Sequence, residues 1–119
     1  AHQQDPQLAE FVLPLAKAFG RLQRASAWIA QSGLSNPEEA GAAASDYLRL
    51  FGLTALAYLW TRMAEISLTK LDGEERRFYQ AKIDTARFFM QRLLPQSGGL
   101  FSAILAGGGS IMAFEDDAF

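Results

Sequence analysis

The run from Asp46 to Trp60, DYLRLFGLTALAYLW, limits the fold of this chain more than any other segment. On a helix it has almost no polar side: Leu48, Leu50, Phe51, Leu53, Leu56, Tyr58, Leu59 and Trp60 point in every direction. Arg49 is its only charge after the opening Asp46. A helix that packs on one neighbour needs only one apolar stripe, with polar residues opposite. One that is apolar all round must be covered on several sides. The run from Leu50 to Trp60 is far short of the roughly 20 residues that span a bilayer. Protein must therefore cover it, and a chain of 119 residues is not expected to supply all of that cover.

Half of the residues are apolar and a fifth are charged, a globular composition long enough for one hydrophobic core and one domain. The formal charge of −2 argues against nucleic acid, which needs a concentrated Lys/Arg surface. Eight of the eleven basic residues are arginine, the cation suited to forked pairing with carboxylates or phosphates. Ordinary surface and interface salt bridges account for most such arginines. Without cysteine there is no disulfide framework and no thiolate metal site, so a reducing compartment, the cytoplasm, is the natural setting. The opening AHQQDPQ lacks the basic start and apolar core of a signal peptide. It also lacks an initiator Met, so an upstream segment is expected.

Hydrophobic spacing predicts an all-α bundle of three long helices and a short fourth, over about 6–34, 37–71, 74–94 and 97–106. Asp5 caps the first and Pro6 opens it. Leu8, Phe11, Leu15, Ala18, Leu22, Ala25 and Ile29 then alternate steps of three and four, a bundle seam. Pro14 should kink or delay this helix, and Gly33 should end it. Ser35-Asn36-Pro37-Glu38-Glu39 reads as a second helix start, and Asp72-Gly73 as a break. The third helix places Tyr79, Ile83, Ala86, Met90 and Leu93 on one stripe. Glu74 and Glu75 lead it and Arg87 and Arg92 close it, the order the helix dipole favours. Pro95 forces a kink or fresh start, Gly98-Gly99 reads as a hinge or a close backbone approach, and Gly107-Gly108-Gly109 as a stop.

Residues that carry chemistry are scarce. His2 is the single histidine and sits at a terminus, which rarely preorganises a ligand or base. The pairs Glu38/Glu39 and Glu74/Glu75 fall at helix starts, where the dipole explains them. No Glu-x-x-His motif is present to build a bundle di-metal site, so no metal ligands are expected. Gly107-Gly108-Gly109-Ser110 follows a helix and lacks the lysine of a phosphate-binding P-loop.

Three blocks carry a family likeness: DYLRLFGLTALAYLW (46–60), FYQAKIDTARFFMQRLLPQSGGL (78–100) and ILAGGGSIMAF (104–114). In this order they resemble the extra C-terminal helical segment of certain acyl-CoA dehydrogenases, the 3-methylmercaptopropionyl-CoA dehydrogenase type among them. The resemblance runs from about Gln7 to Phe114, and rests most on Tyr47-Leu48-x-Leu50-Phe51-Gly52 and on Phe78-Tyr79-x-Ala81-Lys82 through Leu94-Pro95. The glycines at 107–109 depart from it by their number. The resemblance implies a parent enzyme that uses FAD to oxidise an acyl-CoA to its 2,3-enoyl form. Base and flavin sites would lie upstream, and no glutamate here matches the catalytic motif, so no catalytic residue is carried over.

What the resemblance leaves to this segment is contact: docking on the upstream dehydrogenase domains, covering a subunit interface in a homo-oligomer, or bounding the substrate channel. Arg49, Phe51, Tyr58, Trp60, Arg87 and Arg92 are the interface candidates. No cofactor is expected in the segment alone, and it should self-associate. Two rival roles differ in class. A membrane-surface domain is opposed by the acidic tail and by the absence of a Lys/Arg-rich polar face. A free-standing adaptor or small-ligand binder would hold its ligand between the second and third helices.

Overall fold

The computed structural model describes residues 6–106, and no β-strand occurs among them. Helix α1 spans Pro6–Ser35 and α2 spans Pro37–Leu68, so Asn36 alone connects them. A turn region over 69–75 leads into α3, Arg76–Phe88, which passes directly into a π-type turn at Phe89–Leu93. After a turn at 94–95 the chain is helical again over 96–106, called α4 here. The fold is an all-α bundle of three rods, the third bent near Pro95. Asp5, His2, the three glycines at 107–109 and the tail lie outside the described residues.

The α1 seam packs as its spacing requires. Leu8, Phe11, Ala18 and Ala25 are buried, with Leu15, Leu22 and Ile29 partly buried beside them. Pro14 sits inside α1 without ending it. Its ring removes one helical hydrogen bond, but the buried Phe11 and Ala18 anchor the helix on either side. The helix also runs past Gly33 to Ser35. Gly33 faces Ala40 of α2, where a Cβ would come within 3.7 Å of the alanine methyl, so the glycine lies where the two helices converge.

Helix α2 faces the bundle with its small residues. Ala43, Leu50, Thr54, Ala57, Thr61, Ala64 and Ser67 are buried, while Leu48, Phe51, Leu56, Tyr58, Leu59, Met63 and Ile66 are exposed. The two buried threonines return their hydroxyls to the helix itself: Thr54 Oγ1 donates to the Leu50 carbonyl at 2.8 Å, and Thr61 Oγ1 to that of Ala57 at 2.7 Å. Neither leaves an unmet polar group, whose burial would cost about 1–3 kcal/mol. Small side chains on the contact line let neighbouring helices approach closely, and distance between helices depends on those side chains.

Two apolar clusters lie along the bundle. One joins Leu8, Phe11, Ala57, Ala64, Ile83, Ala86, Phe89, Met90 and Leu94; the other joins Ala25, Ala43, Leu50 and Ile104. Phe11, Leu50, Ile83 and Ile104 are fully buried, each contributing about 1.5–3 kcal/mol by burial. The third rod must therefore meet α1 and α2 at both ends, and the π-type turn sets how. Leu94 N–H donates to the Phe89 carbonyl at 2.9 Å, an i→i+5 bond that inserts one residue into the helical repeat. The inward stripe follows Ile83, Ala86 and Met90 as spaced, then moves from Leu93 to Leu94: Leu94 is buried and Leu93 is not. Pro95 has no N–H for a continuing helix, and a regular turn would press its ring on the Gln91 carbonyl.

Three local expectations are corrected. Helix α3 begins at Arg76, so Glu74 and Glu75 precede it; Glu75 is the N-cap but its side chain makes no capping bond. The second helix stops at Leu68, ahead of Asp72-Gly73. Gly98 and Gly99 lie within α4 and form no hinge; the bend comes earlier, at 94–95. Gly98 instead lies under Arg21, whose guanidinium would stand 3.7 Å from an added Cβ. Arg21 Nη1 donates to the buried Ser97 hydroxyl at 3.1 Å, and Arg24 lies 5.3 Å from the Phe101 ring centre. These contacts fasten α4 to α1.

The size-sorted α2 makes a direct test. Ala57→Leu should destabilise the fold by about 1–3 kcal/mol through overpacking. Leu59→Ala, two residues along and pointing outward, should change it by less than about 0.5 kcal/mol. Thermal unfolding at low protein concentration reads both, and equal losses would contradict the inward placement of small residues.

Candidate functional site

The outward side of α2 and the adjoining side of α1 form a broad apolar feature not consumed by the core. Between them runs an open groove of about 680 Å³. Val12, Leu15 and Phe19 line one wall, and Phe51, Tyr58 and Leu59 the other. The remaining lining residues are Ala16, Gly20, Leu22, Gln23, Thr54 and Ala55, so no charged side chain faces the groove. The groove lies between α1 and α2, not between α2 and α3 where a ligand cavity was expected.

The six interface candidates divide by position. Phe51 and Tyr58 line the groove and are about half exposed. Trp60 is partly buried against the first apolar cluster, so much of it belongs to the core. Arg49 and Arg92 are exposed, Arg49 on α2 and Arg92 on the π-type turn. Arg87 is engaged within the chain. Its Nε and Nη2 donate to the two carboxylate oxygens of Glu10, each at 2.8 Å, and its Nη1 donates to Asp84 at 3.2 Å. This fork ties α3 to the start of α1 and leaves little of the guanidinium for another subunit or a phosphate.

Phe19, Leu48, Leu59 and Ile66 belong to the exposed face yet were absent from the sequence candidates. Phe19 carried a readable signal: it is a large apolar residue off the α1 seam. Leu48, Leu59 and Ile66 did not stand out because α2 is apolar on every side.

Chemical groups for catalysis are thin here. Among the described residues no three His, Cys, Asp or Glu side chains come together to hold a metal ion. A flavin dinucleotide needs donors for its diphosphate as well as apolar walls. The groove offers Gln23 and Tyr58, while the Thr54 hydroxyl is spent on the Leu50 carbonyl. The lining residues of the groove therefore do not fit FAD. A smaller hollow of about 420 Å³ beside Pro95 contains Lys17 and Arg21, but Arg21 is held on Ser97. Nor is any helix among the described residues long and apolar enough to cross a membrane.

A helical bundle with a broad apolar face and little chemistry of its own is the architecture of an accessory module. The family model described as acetyl-CoA dehydrogenase C-terminal like matches residues 1–115. The chain belongs to that family. Among curated proteins, no match to the chain is found. For this acyl-CoA dehydrogenase C-terminal-like domain, the match covers all three rods, the groove and the Arg87–Glu10 fork.

At that fork pH should reach the domain's stability. The hydrogen bond from Arg87 lowers the Glu10 carboxyl below its ordinary 4.5, with the positive charge adding to the effect and partial burial opposing it. A folded-state value below the unfolded one means that the folded chain binds fewer protons here. The pair therefore stabilises above the ordinary carboxylate range, and that contribution is lost as pH falls through the lowered value. Both side chains are 39% exposed, so solvent screens the pair. Arg87→Ala should cost about 0.5–1 kcal/mol at neutral pH. Urea unfolding of both forms should show the difference shrinking below roughly pH 4 and weakening in high salt.

Proposed function

We propose that this chain is the accessory C-terminal helical domain of an FAD-dependent acyl-CoA dehydrogenase of the 3-methylmercaptopropionyl-CoA type, working in the cytoplasm. The parent enzyme would convert acyl-CoA to 2,3-enoyl-CoA with flavin and catalytic base both supplied by upstream dehydrogenase domains. The domain's own part is contact: it packs on that catalytic core or at a subunit interface of a homo-oligomer. Family membership supports the parent reaction class. The observation that carries the contact role is the outward side of α2, where Leu48, Phe51, Leu56, Tyr58, Leu59, Met63 and Ile66 are all exposed. Isolated apolar residues are normal on a surface, but a contiguous patch of this size marks an interaction site.

This reading gives the interface candidates unequal weights. Phe51 and Tyr58 lie at the centre of the apolar face and are the anchors. Arg49 sits on the same helix with its charge available to the rim, where such residues steer and orient more than they bind. Trp60 and Arg87 serve the domain's internal packing first.

Intact mass and visible absorption of the native polypeptide that contains this segment make the test. A yellow protein much longer than this segment, whose flavin band bleaches on adding acyl-CoA, is the expected result. A colourless native protein of this length would sink the proposal.

A further inference from the structure

We infer that the open face of the α1–α2 pair is a self-contact: two copies of this chain join there about a two-fold axis, burying Phe51, Tyr58 and Leu59 of each. This rests on the homo-oligomer reading above and names its surface. A two-fold contact uses the same patch twice, so the patch must complement itself. Here large side chains and hollows alternate on one surface. Phe19 of α1 and Phe51, Tyr58 and Leu59 of α2 are exposed knobs, and Ala16, Gly20, Gly52 and Ala55 are small positions among them.

The two glycines, like Gly41 and Gly99, have open space where a side chain would stand. Gly20 and Gly52 are both in mid-helix, and a Cβ built on either meets nothing within 4 Å. Glycine weakens a helix relative to alanine, and neither position has an intrachain contact that requires it. At Gly20 and Gly52 that space admits a second helix from outside. The groove, which Gly20 lines, is free of charged lining residues. Two copies with a formal charge of −2 each can therefore close on it without burying a charge.

The area suffices for a second copy. Phe19, Leu48, Phe51, Tyr58, Leu59 and Ile66 are each half exposed or more. Side chains of this size carry roughly 150–200 Å², so the six present on the order of 500 Å² per copy and about 1,000 Å² across a pair. That reaches the lower bound for a specific association without any further partner, and it predicts a weak, concentration-dependent dimer. Each α1–α2 pair would then supply half of a four-helix arrangement.

Sedimentation velocity on the 119-residue chain over a wide concentration range tests this. The native chain should shift from monomer to dimer, and added salt should not dissociate the dimer, because the groove at its centre has no charged lining residue. Leu59→Arg and Phe51→Glu should each weaken dimerisation roughly tenfold or more while circular dichroism shows unchanged helicity. Leu34→Arg, on the 91% exposed residue near the end of α1, should leave it intact. A native chain that stays monomeric throughout would overturn the inference. Dimers that survive both face variants would overturn the choice of surface while leaving the homo-oligomer reading in place. Neither result touches the flavin assignment, which is read from the colour of the native polypeptide.

Discussion

Close contact between α1 and α2 through small side chains is the constraint on which the rest depends. Ala18 and Ala25 on one helix, with Ala43, Ala57 and Ala64 on the other, bring the backbones together. Apart from Leu50, with Leu53 and Trp60 partly buried, that leaves little room inward for the larger residues of α2. Leu48, Phe51, Leu56, Tyr58 and Leu59 lie on the outside. The third rod then has to cover the remaining edge of this pair at two separated clusters, which fixes the bend near Pro95 and the contacts of Arg21 and Arg24 with α4.

The legibility of the fold in the sequence varied by helix for a physical reason. In α1 polarity and position agree, so Leu8 through Ile29 could be read from steps of three and four. In α3 the same reading works as far as Met90 and then slips by one residue, because no residue type announces an i→i+5 bond. In α2 polarity carries no directional information at all. Size is the better guide: Ala43, Thr54, Ala57, Thr61 and Ala64 go in and most bulky residues go out, with Leu50 the exception. The all-apolar character of 46–60 correctly required cover beyond one neighbour, but only the structure separates the covered side from the open one. Of the residues singled out in the sequence, Phe51 and Tyr58 fall in the groove lining. The pairing of Arg87 was not readable, since its partner Glu10 is 77 positions away in sequence.

An accessory module of this kind acts through the shape and wetting of a surface rather than through reactive groups. Its titratable residues are spent on structure, as with Glu10 and Arg87, or spread over the exterior. Its apolar face would cost solubility in a protein that stayed alone. In the proposed assembly the same face would exclude water and hold neighbouring parts in a fixed relation, with no contact with the reacting atoms.

The π-type turn at Phe89–Leu93 has one further consequence. Each residue added to or removed from a helix rotates everything beyond it by about 100°. The wider turn absorbs one extra residue, so α4 keeps the phase that a regular helix one residue shorter would give it. Removing one residue there, with the turn closing to a regular α turn, should leave Ser97 on the side of Arg21 and Ile104 on the side of Ala25 and Leu50. Among relatives of this domain, a one-residue deletion in 89–93 is then close to a neutral change of length. A further insertion is a change of orientation, and it should be matched by a compensating shift in which residues of the last helix are apolar.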